Sequence, residues 1–141
     1  DVRIASDRSR FGTPEINLGL IPGYGATQRL VGLVGYGKTM EMIMTGEMVH
    51  AEEAHRIGLA NHVCTPEELH AFTLKMAQTI GSKSSNTLRV GKATIRAALD
   101  VGLTEGVAIE AEAFASLFDS KDKEIGVNAF LNRTTPEWEH Q

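Results

Sequence analysis

The residues predict an α/β chain, poor in strands and rich in helix toward its end. The opening stretch alternates apolar Val2 and Ile4 with Arg3 and Ala5, the period of a half-buried strand. Residues 13–25 then gather Pro14, Pro22, Gly19, Gly23 and Gly25, too many breakers for a long regular element. From Ala26 onward the apolar positions recur at helical spacing.

Each element follows from its local chemistry. The alternation breaks at Ser6-Asp7-Arg8-Ser9 and resumes at Arg10-Phe11-Gly12, which fits two short strands joined by a turn. Residues 13–25 form a shaped loop of the kind that carries function. Leu30, Val31 and Val34 mark one helix, Gly35-Tyr36-Gly37 interrupts it, and Lys38 to Thr45 resumes with Met40, Ile43 and Met44 facing inward. A short helix over 51–57 stops at Gly58, which can take the left-handed conformation without a Cβ penalty, and a brief strand follows over 59–63. Thr65-Pro66-Glu67-Glu68 is a helix start: Thr65 caps, Pro66 suits the first turn, and Glu68 closes the capping box. Leu69, Phe72, Met76 and Ile80 form the apolar face of that helix, which Gly81 ends. Further helices are expected over about 86–99, 104–118 and 121–131.

Composition narrows the function. The chain has 141 residues, 42% of them hydrophobic and 23% charged, enough apolar matter for a core. Its formal charge is -4 and its basic residues are scattered, so it carries no electrostatic footprint for nucleic acid or an anionic membrane. One cysteine, Cys64, rules out an internal disulfide and any cysteine metal cluster, and reads as a structural thiol. The five histidines include no H-E-x-x-H pair, so no metal site is expected.

Glu15 is the carboxylate of greatest interest, because it follows Pro14 at a strand end and leads into the apolar run Ile16 to Ile21. A carboxyl group in apolar company is a candidate for proton transfer. The plainer role is a turn cap, or an ion pair with Arg10 or Arg29. The loop Pro22-Gly23-Tyr24-Gly25-Ala26-Thr27 runs into a helix whose first N–H groups could hold a water, an oxyanion or a phosphate, although a tight turn explains it equally. Gly32-Leu33-Val34-Gly35-Tyr36-Gly37-Lys38-Thr39 formally matches the nucleotide-binding pattern G-x-x-x-x-G-K-[ST]. A true P-loop follows a strand, whereas these residues follow a helical pattern, so a helix-to-helix linker is expected. Met40, Met42, Met44 and Met48 are expected to fill the core.

Taken in order, Phe11-Gly12-Thr13-Pro14-Glu15-Ile16-Asn17-Leu18-Gly19-Leu20-Ile21-Pro22-Gly23-Tyr24-Gly25-Ala26-Thr27-Gln28-Arg29-Leu30 resembles the signature segment of enoyl-CoA hydratases of the crotonase (hydratase/isomerase) superfamily. Thr45-Gly46-Glu47, Ala51-Glu52-Glu53-Ala54, Gly58-Leu59-Ala60 and Phe130-Leu131-Asn132-Arg133 with Pro136 and Trp138 agree with it.

The resemblance implies a crotonase fold of repeated ββα turns, followed by helices that build trimers, often paired into hexamers. On this reading the chain is a carboxyl-terminal half: residues 1–80 supply the last core turns with the signature loop 11–30, and residues 81–141 the helical region that covers the active site and trimerises. The implied reaction adds water across the double bond of a trans-2-enoyl-CoA in fatty-acid or related acyl-CoA metabolism, including beta-oxidation. Isomerisation and acyl-CoA hydrolysis are the alternatives, together with a non-catalytic oligomerisation fragment.

Glu15 matches the glutamate that protonates the α-carbon, and Gly23 the loop glycine whose N–H helps hold the water. Phe114 matches an aromatic near the coenzyme A moiety. Arg133 falls at a basic position associated with its phosphates, where lysine is commoner. Ala26 stands where the family usually has glycine. No cofactor is implied, coenzyme A being part of the substrate, and the compartment is the cytoplasm or, alternatively, the mitochondrial matrix. The family's other catalytic glutamate and its oxyanion donors are expected ahead of Asp1, so residues 1–141 alone are expected to be inactive.

Overall fold

The computed structural model describes all of residues 1–141. It divides into two compact units, Asp1–Met76 and Ala77–Gln141.

In the first unit the strands are short and their partners are distant in sequence. Strand β1 (Ile4–Ser6) pairs in parallel with β4 (His62–Cys64), Ala5 opposite Val63. Strand β2 (Arg10–Phe11) pairs antiparallel with β3 (Val49–His50), Phe11 opposite Val49. The expected hairpin over residues 1–12 is therefore not formed. Both strands exist, but each finds a partner from beyond residue 48, and the parallel pairing of β1 with β4 requires a long crossover rather than a turn. Arg3 reinforces the first junction, donating its backbone N–H to Asn61 Oδ1 at 2.7 Å.

The crossover is helical. Helix α1 (Ala26–Val34) meets α2 (Tyr36–Thr45) at a single residue, Gly35, whose φ of 81° and ψ of 163° serve as the end of one helix and the start of the next. This is the interruption that the glycines promised. The nucleotide-binding pattern thus spans two helices with no strand before it. Its Lys38 is paired with Glu41 at 2.7 Å and Glu53 at 3.5 Å.

Helix α3 (Ala51–Arg56) is followed by Gly58 at φ 80°, whose N–H reaches His55 O at 3.1 Å. Helix α4 (Pro66–Gly81) starts on the expected capping box: Glu68 N donates to Thr65 Oγ1 at 3.3 Å, and Thr65 N to Glu68 Oε2 at 3.2 Å.

Ala5, Leu30, Met42, Ile43, Val49, Ala54, Leu59 and Ala60 form the core of this unit. The rotation of α2 corrects the expectation for its methionines. Met42 is buried at 3% exposure, whereas Met44 is 54% exposed and Met40 is also exposed. Burying Ile43 beside Met42 turns the other two outward. The face of α4 is likewise open within the chain, with Phe72 and Ile80 exposed. Phe72 rests against the His62 ring, centroids 5.2 Å apart.

The second unit is helical: α5 (Ser85–Ala97), α6 (Leu103–Ser116) and α7 (Lys121–Asn132). Ser84 caps α5, accepting from Thr87 N at 3.1 Å, and Ser120 caps α7, accepting from Lys123 N at 3.1 Å. Asp122 is 1% exposed. It accepts the Ser84 hydroxyl and the N–H groups of Glu139 and His140 at 2.8 and 3.0 Å. Trp138 donates its indole N–H to Ser82 O at 2.8 Å and lies over Gly126, where a Cβ would stand 3.2 Å from the ring. No helix is long and apolar enough to cross a membrane.

Candidate functional site

Glu15 lies in a 3-10 turn, Pro14–Leu18, that leaves β2 and ends on Gly19 in the left-handed region at φ 73°. Pro14 presets the first backbone angle of the turn, and Gly19 closes it, its N–H reaching Ile16 O at 3.1 Å. Thr13, buried just ahead of the turn, directs its hydroxyl to Met42 O at 3.4 Å. The end of α2 closes in on the turn from the other side. A Cβ at Gly46 would stand 2.8 Å from Asn17 Nδ2 and 2.9 Å from Ile16 Cγ2.

Within this frame Glu15 is half-buried, and its Oε2 is buried with no hydrogen-bond partner. The ion pair with Arg29 that would have explained it structurally is not made, since Arg29 Nη1 donates to Tyr24 O at 2.6 Å. A buried carboxyl oxygen with no donor is costly in a finished fold, and such groups collect where a ligand or another part of the protein completes them.

Gly23 is exposed in the same loop, and no atom beyond its chain neighbours comes within 4 Å of where a Cβ would stand. Tyr24 beside it is 96% exposed. Gly25, at φ 86°, starts α1 with no side chain capping the first turn. Arg29 folds back over Gly25, its Nη1 2.7 Å from the position of an added Cβ. Glu15 and Gly23 are thus held by one loop of the first unit.

Phe114 and Arg133 belong to the second unit. Phe114, on α6, is 64% exposed and meets Phe118 edge-on with centroids 5.0 Å apart. Arg133 is exposed and ends α7 in the left-handed region at φ 53°. No group of three or more His, Cys, Asp or Glu side chains is placed to hold a metal ion.

The residue pattern missed the platform under Glu15. Gly46 counted only as part of a family-like block, although its position after a helix of apolar period is the ordinary signal for a left-handed cap. Thr13 carried no signal, because its partner is a backbone carbonyl distant in sequence.

Short paired strands, a helical crossover and a glycine-bounded loop presenting a carboxylate define a crotonase-like α/β fold, which solved structures share. The chain superposes on a crystal structure of an enoyl-CoA hydratase from Bacillus anthracis with a TM-score of 0.97 and 33% identity, covering all of this chain and 55% of that one. An enoyl-CoA hydratase from Mycobacterium tuberculosis H37Rv gives 0.94 at 28% identity, with 56% of that chain covered.

The chain belongs to the enoyl-CoA hydratase/isomerase family, whose model matches residues 1–141. Among curated relatives, a probable mitochondrial enoyl-CoA hydratase of Dictyostelium discoideum is 40% identical over 141 residues, the whole of this chain and 51% of the relative. A short-chain-enoyl-CoA hydratase of Clostridioides difficile is 40% identical over 130 residues, 92% of this chain and 84% of that protein. The chain otherwise spans about half the length of the first curated relatives it matches.

These matches correct the placement of the chain as the carboxyl-terminal half of such an enzyme. The family model runs through every residue from 1 to 141, and the chain covers 51–55% of several relatives that it matches over its whole length, so it is a partial span of such a protein. Its description as the last ββα turns with a trimerising tail does not stand. A signature block identifies a family through local chemistry, and it does not carry a position in the whole protein.

Proposed function

We propose that residues 1–141 supply the proton-donating half of an enoyl-CoA hydratase site, with Glu15 as the acid. The observation that carries this is the buried, unpartnered Oε2 of Glu15 in a loop with exposed glycines. In the reaction, water adds across the double bond of a trans-2-enoyl thioester. Hydroxide from water forms the C–O bond at the β-carbon while Glu15 delivers a proton to the α-carbon. A second carboxylate takes the proton released by the water, and backbone N–H groups hold the charge on the thioester oxygen. This reading assigns the second carboxylate and the oxyanion donors to protein outside residues 1–141, which leaves residues 1–141 inactive alone.

The Gly23 N–H is the candidate hold for the water. Phe114 and Arg133 are the candidate contacts for the coenzyme A portion, an exposed ring for the adenine and a guanidinium for phosphate. No cofactor beyond the substrate's own coenzyme A enters the scheme. Double-bond isomerisation is the second reading, favoured by the family's description as hydratase/isomerase. Exposed apolar side chains in both units, Leu18 and Ile21 in the first and Leu99 and Phe130 in the second, fit burial against further protein, and a homotrimer or a pair of trimers is the assembly proposed for the whole protein. The cytoplasm is the proposed compartment. The relative described as mitochondrial makes the matrix the alternative.

The test is hydration of crotonyl-CoA by the full-length protein and its Glu15→Gln variant. Loss of about 100-fold or more in kcat is expected. Wild-type kcat in the variant refutes the role of Glu15. Absent hydration with active isomerisation of a 3-enoyl-CoA replaces the first reading by the second.

A further inference from the structure

Most of the turn bearing Glu15 is exposed to the surface, yet two of its side chains are locked from below. Gly46 follows α2 in the left-handed region at φ 65°, its N–H closing on Met42 O at 3.2 Å. Its missing Cβ is the space that Ile16 and Asn17 occupy, at 2.9 and 2.8 Å. Real Cβ atoms do not tolerate such separations, so a side chain there forces Ile16 and Asn17 to shift: the exposed Asn17 amide can swing aside, whereas Ile16, branched at Cβ, passes the push toward its own backbone. Ile16 directly follows Glu15 in the same short 3-10 turn, so a push on the Ile16 backbone moves the carboxyl group. Met42 also receives the Thr13 hydroxyl at 3.4 Å, which ties the entry of the turn to the same end of α2.

We propose that Gly46 is a positioning residue for Glu15: its bare Cα, with the Thr13 hydroxyl, sets the height at which the 3-10 turn presents the carboxyl group to the α-carbon of an enoyl thioester. The proposal rests on the assignment of Glu15 as the acid. It places the determinant of proton-transfer geometry on the end of a helix that supplies no reacting group. A displacement near 1 Å costs about 100-fold in a proton transfer while leaving binding of the remote coenzyme A portion in place.

Gly58 provides the control. It too is left-handed, at φ 80°, but an added Cβ would meet only Leu33 O at 3.5 Å, an ordinary contact. Gly46→Ala and Gly58→Ala therefore bear the same kind of backbone cost, and only the first pushes the turn.

In the full-length protein, with crotonyl-CoA as substrate, Gly46→Ala is expected to lose about 10- to 100-fold in kcat at near-constant KM. Gly58→Ala is expected to stay within about threefold of the parent in kcat while its melting temperature falls by the left-handed backbone cost that both variants share. Equal kcat in the two variants, or kcat and KM of Gly46→Ala moving together, overturns the proposal. If Gly46→Ala is insoluble, Thr13 decides it. Thr13→Val then lowers kcat at constant KM and Thr13→Ser restores it, whereas wild-type kcat in Thr13→Val overturns the proposal. Glu15→Gln measured alongside separates the two failures. Full activity in Glu15→Gln removes the acid assignment itself, and an inactive Glu15→Gln beside a fully active Gly46→Ala removes only the positioning role.

Discussion

The carboxylate of Asp122 accepts the backbone N–H of His140 at 3.0 Å, so the first turn of α7 holds a segment 18 residues further along the chain. The neighbouring Glu139 N–H and the Ser84 hydroxyl fill the same carboxylate. Burial pushes this carboxyl group up, but the Ser84 hydroxyl and the two backbone N–H groups outweigh it and hold the acid below its ordinary value of 3.8. A depressed carboxyl contributes stability above the unfolded value, and that contribution is lost as pH falls through the folded one. Asp122→Asn is expected to lower the melting temperature at neutral pH by roughly 5 °C or more and to flatten its decline below pH 3.8. Differential scanning calorimetry across pH 2–7 checks both, and an unchanged acid limb refutes the assignment.

Glu53 gives a second pH prediction, on the surface of the first unit. Hydrogen bonds from Arg56, followed by the weaker pull of Lys38, lower its carboxyl from 4.5 to about 2. Arg56 Nη2 lies 2.7 Å from Glu53 Oε1, and Lys38 Nζ 3.5 Å from the same oxygen. In Arg56→Gln the Glu53 midpoint, followed by carbon-detected NMR titration, is expected to move back toward 4.5. Any stability the pair supplies is present above pH 4.5 and fades toward pH 2. A midpoint still near 2 in the variant shows that Arg56 is not the cause.

Core packing on α2 discriminates between adjacent methionines. Met42 is 3% exposed and packs with Leu30 and Ile43, whereas Met44 is 54% exposed. Met42→Ala is expected to cost about 2–5 kcal/mol, as for other large-to-small core changes. Met44→Ala is expected to stay within about 0.5 kcal/mol. Urea denaturation of both variants makes the comparison, and equal losses reject the observed rotation of the helix.

Much of the first unit was legible because it is local. The capping box at Thr65 and Glu68, the glycine end of α3 and the break at Gly35 each depend on residues within a few positions, and each formed where the spacing placed it. Strand pairing was not legible. Ile4 and Phe11 alternate as strand residues, but nothing in residues 1–12 says that their partners are His62 and Val49 in place of each other. Methionines at every second position on α2 fit either face of a helix, and only contact with Leu30 and Val49 decides which are buried.

For the candidate site, the residue types of the loop identified Glu15 as a carboxylate in apolar company. The absence of any donor to its Oε2 belongs to the fold, as does the close fit of Ile16 and Asn17 over Gly46.

Gly35 gives that loop a mechanical character. The loop carrying Glu15 runs into α1 and rests on the far end of α2, and those two helices are spliced at one residue. A splice of that length has no slack, so the two supports of Glu15 behave as one bent strut. Its backbone angles, φ 81° and ψ 163°, are open to glycine alone, which makes the splice a position where no other amino acid keeps the strut's angle.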